Sequence, residues 1–106
     1  MPLNASNLPD WEKCDKKNWA KYYATDDVGQ MFNHLYNPHH YVHKKFVSYW
    51  RKVASYFKGN PYVIAYEIIN EPFVGNAIRN PFLLMPSVAE RVKFQQFYDN
   101  VVTAIR

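Results

Sequence analysis

The stretch Pro61-Tyr62-Val63-Ile64-Ala65-Tyr66-Glu67-Ile68-Ile69-Asn70-Glu71-Pro72 decides how the rest of the chain is read. Its centre is β-branched and aromatic with almost no polar alternation. Gly59-Asn60-Pro61 bounds it on one side and Pro72 on the other. A short apolar run of this kind reads as a strand covered on both faces, as in a parallel sheet. A strand is therefore expected over 61–71.

The flanks are helical. Upstream, Val42, Phe46, Trp50, Val53 and Phe57 recur at spacings of four, four, three and four. That places them on one face of a helix over 39–58, with Lys44, Lys45, Arg51 and Lys52 largely off the stripe. Asn37-Pro38 marks a plausible start, and Gly59 stands where a left-handed cap would end it. Downstream, a loop over 72–86 carries Gly75, Asn80, Pro81 and Pro86. A second helix follows over 87–106, with Ser87 and Glu90 spaced as a capping box and Phe94, Phe97, Val101 and Ile105 as its stripe. Residues 1–38 read as a loop region rich in turn formers, including Pro2, Pro9, Asp26, Asp27 and Gly29, and the aromatic segment 18–23 is too short to assign.

The order is loop, helix, parallel strand, loop, helix, an α/β arrangement. One strand that is apolar on both faces can neither satisfy its edges nor bury its side chains alone. The chain reads as a slice of a larger α/β protein.

Composition narrows the function classes. Of 106 residues, 48% are hydrophobic and 21% charged, which excludes a disordered, highly charged tail. No run approaches the roughly 18 consecutive apolar residues of a membrane span, and residues 1–10 lack the basic and apolar regions of a signal peptide. Cys14, the sole cysteine, excludes an internal disulfide. Lys and Arg outnumber Asp and Glu by 13 to 9, for a net charge of +4. That permits weak attraction to phosphates without demanding it, and no nucleic-acid partner is expected.

Chemistry concentrates where the apolar run ends. In a parallel α/β barrel the catalytic groups sit at the C-terminal ends of strands. Glu71 lies there, with Asn70 beside it and Pro72 holding it away from the helical region. A carboxylic acid so placed can protonate a leaving group, and the adjacent amide can bind a substrate hydroxyl. Glu67 shares strand parity with Glu71. It either points inward and supports the acid from behind, or the parity breaks at a bulge.

The run Tyr66-Glu67-Ile68-Ile69-Asn70-Glu71-Pro72 resembles the fourth-strand signature of glycoside hydrolase family 5, retaining glycosidases built on a (β/α)8 TIM barrel. Asn18-Trp19-Ala20-Lys21-Tyr22-Tyr23-Ala24-Thr25-Asp26, Gly29-Gln30 and Leu35-Tyr36-Asn37 are similar to the segment before the third helix of the eukaryotic endoglycoceramidase branch. Asn80-Pro81-Phe82-Leu83-Leu84-Met85-Pro86-Ser87-Val88-Ala89-Glu90-Arg91, continuing to Tyr98-Asp99, is similar to that branch's fourth loop and helix.

The resemblance implies a fragment of about one quarter of such a barrel, which needs about 250 residues. On it, 1–38 is the loop region after the third strand, 39–58 the third helix, 61–71 the fourth strand and 87–106 the fourth helix. Glu71 matches the general acid/base and Asn70 the ligand of the sugar 2-hydroxyl. The substrate would be a glycosphingolipid cut between oligosaccharide and ceramide. No metal or cofactor is implied, and membrane contact would come only through the substrate lipid. The implied compartment is secreted or lysosome-like. The family's nucleophile, a glutamate near the seventh strand, has no counterpart here, and the third-strand histidine motif is absent, so this chain alone is expected to be inactive. Glu90, in a helix, is no substitute. The alternatives are a segment of a cellulase-like β-glucan hydrolase of the same family and a non-catalytic glycolipid-binding remnant.

Trp11, Trp19 and Phe73 are candidate sugar- or lipid-contacting aromatics, because rims of glycan clefts use aromatic faces. His39 and His43, spaced i, i+4, with His34 and His40 nearby, lack a completing carboxylate and read as solvent-facing. Lys13, Lys16, Lys17 and Lys21 read as a solvated face. Asn4-Ala5-Ser6 is an N-glycosylation sequon, which supports a secretory route only weakly.

Overall fold

The computed structural model describes residues 3–13 and 18–106. The readings of Cys14, Lys16 and Lys17 fall outside these residues, as does any statement about the Trp19 side chain. Among the described residues the regular elements are all helical: α1 (Trp19–Tyr23), α2 (Asp26–Tyr36), α3 (Tyr41–Phe57), a 3-10 turn (Pro81–Leu84), a π-helical turn (Glu90–Phe94) and α4 (Gln95–Ile105). No helix among them is long and apolar enough to cross a membrane.

The strand expected over 61–71 does not form. The segment runs out from Gly59 without a ladder, and the one bridge among the described residues pairs Leu3 with Pro9. The reason is physical: a strand exists only through a neighbour's backbone groups, and no other segment here reads as one. Tyr62 is 91% exposed and Ile64 96%, while Tyr66, Ile68 and Ile69 rest against the helices. Part of the run's apolar surface is covered and part is bare.

The reading of 1–38 as loop is also corrected. The Thr25 hydroxyl accepts a hydrogen bond from the Val28 amide, and Asp26 and Asp27 occupy the first turn of α2, where carboxylates suit the helix dipole. Helix α3 begins later than Asn37-Pro38 suggests. Its N-cap is His40, whose Nδ1 accepts from the Val42 amide. It ends as expected, with Gly59 in the left-handed region at φ +80°. The capping box at Ser87 and Glu90 is not made: Ser87 sits at φ +63°, and the helical run enters through the π turn with no side-chain cap.

The core lies where α3 crosses α4. Phe97 and Val101 are fully enclosed, with Tyr36 and Trp50 buried against them and Phe46, Val53, Phe94 and Ile105 packed around. The Phe97 ring stands 5.4 Å from Phe46 and 5.4 Å from Tyr36. Both helical stripes thus meet in one cluster, which the C-terminal part of α2 completes through Tyr36. Helix α2 therefore links this core to the loop that follows Glu71.

Candidate functional site

Glu71 emerges from the apolar run with its side chain exposed and its backbone at φ +42°, in the left-handed region and not in the extended conformation that a following proline favours. A residue with a Cβ in the left-handed region carries a strain of about 1–3 kcal/mol, tolerated only when the surroundings hold it. Those surroundings are identifiable. On one side Ile68 and Ile69 pack on the core. On the other, Pro72 restricts the backbone, and the Tyr36 hydroxyl donates to the Phe73 carbonyl at 2.5 Å. Burial pushes the Tyr36 phenol above the usual tyrosine range, so it remains a donor at any physiological pH.

The Phe73 ring lies against Tyr23 at 5.5 Å and Phe32 at 6.1 Å. Beside it opens an apolar pocket of about 300 Å³ lined by Tyr23, Ala24, Thr25, Phe73, Ala77, Ile78 and Leu84. A second groove, of about 480 Å³, lies elsewhere, at the start of the extended segment near Gly59, Val63 and Tyr66.

Beyond Phe73 the chain is fastened to α2. The Asn76 amide nitrogen donates to the Asp26 carboxylate at 2.7 Å and to the Asp26 carbonyl at 3.2 Å, and its oxygen accepts from the Arg79 backbone at 3.0 Å. Arg79 closes the arrangement with two 2.6 Å bonds to Asp26. The Arg79 and Asn76 hydrogen bonds hold the Asp26 carboxyl below the usual carboxylate range. The Asn76 backbone donates to Asn33 Oδ1, which also accepts from Lys93 on the π turn.

The remaining candidates are less connected. Asn70 and Glu67 are exposed, and among the described residues neither they nor Glu71 make a side-chain hydrogen bond or ion pair. Trp11 is 73% exposed in the 3–13 loop, with no ring contact to Phe73. Lys13 pairs with Asp10 at 2.9 Å.

The histidines need correction. His39 is exposed, but His43 is buried, with one ring partner supplied by α2 and the other by α4. Its Nδ1 donates to the Leu35 carbonyl at 2.7 Å, and its Nε2 accepts from Asn100 at 3.2 Å. His34 and His40 stack with centroids 4.1 Å apart. Among the described residues no cluster of three or more metal-ligating side chains exists. The residues that sequence reasoning missed, Tyr36, Asp26, Asn76 and Arg79, act across separations of 37 to 53 positions. Only the short-range cap at Thr25 left a readable signal.

Comparison with known proteins gives this sequence a family. Residues 9–106 match the model for cellulase (glycosyl hydrolase family 5). An endoglycoceramidase of Hydra vulgaris is 44% identical over 95 residues, which cover 90% of this chain and 18% of that protein. An endoglycoceramidase of Cyanea nozakii is 37% identical over 106 residues, covering 99% of this chain and 21% of that protein. The chain thus spans about a fifth of the length of these curated relatives. No solved structure matches it. The match from residue 9 to the last residue, running through Asn70-Glu71-Pro72, means that this chain belongs to glycosyl hydrolase family 5.

Proposed function

We propose that this chain is the part of a retaining glycosidase barrel that carries the general acid/base, Glu71, in an enzyme that cleaves glycosphingolipids between oligosaccharide and ceramide. The observation that carries the reading is that the family match runs through Glu71, an exposed carboxylate on a strained backbone braced from both sides. The two endoglycoceramidase relatives favour a glycolipid over a β-glucan. The apolar pocket beside Phe73 also suits a substrate with a lipid portion.

In this reading Glu71 gives its proton to the glycosidic oxygen while a second carboxylate, from elsewhere in the barrel, bonds to the anomeric carbon and the carbon–oxygen bond breaks. The two carboxyl groups of a retaining enzyme stand about 5 Å apart, and Glu71 then takes a proton from water to release the sugar. Asn70 holds the sugar 2-hydroxyl, Phe73 and Trp11 offer aromatic faces, and Glu67 supports the site from behind. The extended segment 61–71 becomes the fourth strand once neighbouring strands flank it. On this reading the nucleophile comes from outside these 106 residues, which hydrolyse nothing alone, and the setting is secreted or lysosome-like.

The test is Glu71→Gln in the complete polypeptide. General acid catalysis contributes about 10²–10⁴-fold, so kcat/KM on a glycosphingolipid should fall by that range. An aryl glycoside with an acidic phenol, which departs without protonation, should largely keep its kcat/KM. Near-normal turnover of the glycolipid by the variant rules the assignment out.

A further inference from the structure

We infer that Asn76, fastened by Asp26 and Arg79, is a positioning residue that fixes the placement of the Glu71 carboxyl. The inference rests on the reading of Glu71 as acid/base and adds the device that holds it. Asn76 is 1% exposed, and each of its polar groups is engaged: amide nitrogen on Asp26, amide oxygen from Arg79, backbone nitrogen on Asn33, and backbone oxygen from the Asn80 amide. A loop residue with so complete a set of partners has one available position.

That position is transmitted over a short and restricted path. Between Glu71 and Asn76 stand Pro72, Phe73, Val74 and Gly75. Pro72 fixes its own backbone angle, the Phe73 carbonyl is held by Tyr36, and Gly75 sits at φ +103°. Val74 is partly buried. Gly29 of α2 lies so close that a Cβ built on it would stand 2.8 Å from the Asn76 Cα. The helix and the loop therefore meet backbone to backbone. Glu71 is itself strained, so its conformation depends on the anchors on each side, and the downstream anchor ends in the Asn76 cluster.

The cluster has no acid–base task of its own in this scheme. Arg79 and Asp26 neutralise each other, and neither Asn76 nor Asp26 is needed to touch substrate. Its contribution is geometric: the proton must arrive at the departing oxygen and not beside it.

The experiment uses the complete enzyme and two substrates with the same glycone, one glycosphingolipid and one aryl glycoside with an acidic phenol. Values of kcat/KM report the first bond cleavage, where the lipid alkoxide needs the proton and the phenol does not. For Asn76→Ala, kcat/KM on the glycolipid should fall roughly 10- to 100-fold while the aryl glycoside stays within about 3-fold, since a misplaced catalytic group can lose about a hundredfold. Arg79→Gln, which cuts only the exposed arm of the cluster, should show the same selectivity to a smaller extent and guards against failure of Asn76→Ala to fold. Equal loss on both substrates in the soluble variants means a merely structural role and overturns the inference, as does no loss on either. Glu71→Gln, run alongside, separates the two readings: if it shows no selectivity for the glycolipid, the acid/base assignment itself fails, whatever Asn76 does.

Discussion

At the residue scale, the site depends on how closely two stretches of backbone approach. Gly29 sits inside α2, where alanine would ordinarily be better by about 1 kcal/mol. Here the added methyl would stand 2.8 Å from the Cα of Asn76 and 3.2 Å from its Cβ, and backbone cannot move aside as a flexible side chain can. Overpacking of this type costs about 1–3 kcal/mol, which outweighs the helical gain. Gly29→Ala should therefore destabilise the complete protein by about 1 kcal/mol, read as a lower urea midpoint at unchanged slope. A raised midpoint would mean that the loop after Glu71 is free to retreat from α2. A glycine required by packing and a glycine required by a turn look alike in a single chain, so Gly29 reads as a turn former. Asn70 and Glu71 stand out as candidates for the opposite reason: the end of an apolar run followed by Pro72 is a local pattern. The partners Asp26 and Asn76 stand 50 positions apart, and no local pattern joins them.

At the element scale, the two long apolar stripes predicted helices and found them, since a 3.6-residue period with large side chains leaves few alternatives. Helix α2 has no clear signature in the sequence because its stripe is interrupted by Gly29 and polar residues, and its buried face is partly polar: Asn33 and Gln30 carry a hydrogen-bonded path toward His34. That path ends at the corner where His40 caps α3. The ring accepts from the Val42 amide and stacks on His34. Burial first, and then His34, draw the His40 pKa below the usual histidine value. The sign follows directly. Above the unfolded-state value, about 6.5, both states are neutral and the cap is intact. As pH falls the unfolded chain takes the proton first, so stability is lost as pH drops through the depressed folded value. Denaturation midpoints of the complete protein should decline below about pH 6.5, and His40→Asn, a cap that does not titrate, should flatten that decline. An unchanged slope in the variant would assign the acid sensitivity to other groups.

At the scale of the whole molecule, the surface does not match the mass. A compact protein of 12.6 kDa exposes about 6,200 Å² and, at 106 residues, has a radius of gyration near 13 Å. This chain exposes 8308 Å² with a radius of gyration of 16.6 Å. Large apolar side chains contribute to it: Tyr62, Ile64, Tyr56, Phe82 and Leu84 all lie open, and the buried Trp50 indole N–H has no acceptor among the described residues. A run that is β-branched on both faces and paired on neither edge gives the same message in sequence and in structure. Its side chains need cover on the face that the helices leave bare and a strand at each edge. The curated relatives, of which this chain covers 18% and 21%, have length enough to supply them. An antibody raised to residues 88–106 should therefore detect a native species about five times heavier than 12.6 kDa. The 106 residues expressed alone should bind an apolar dye and melt without a sharp transition, because unpaired apolar edges associate instead of folding. A native band at 12.6 kDa with cooperative melting would remove the barrel and its second carboxylate together. It would leave Glu71 and Asn70 as half a site, and the test would turn to whether that half retains a glycolipid on vesicles without cleaving it.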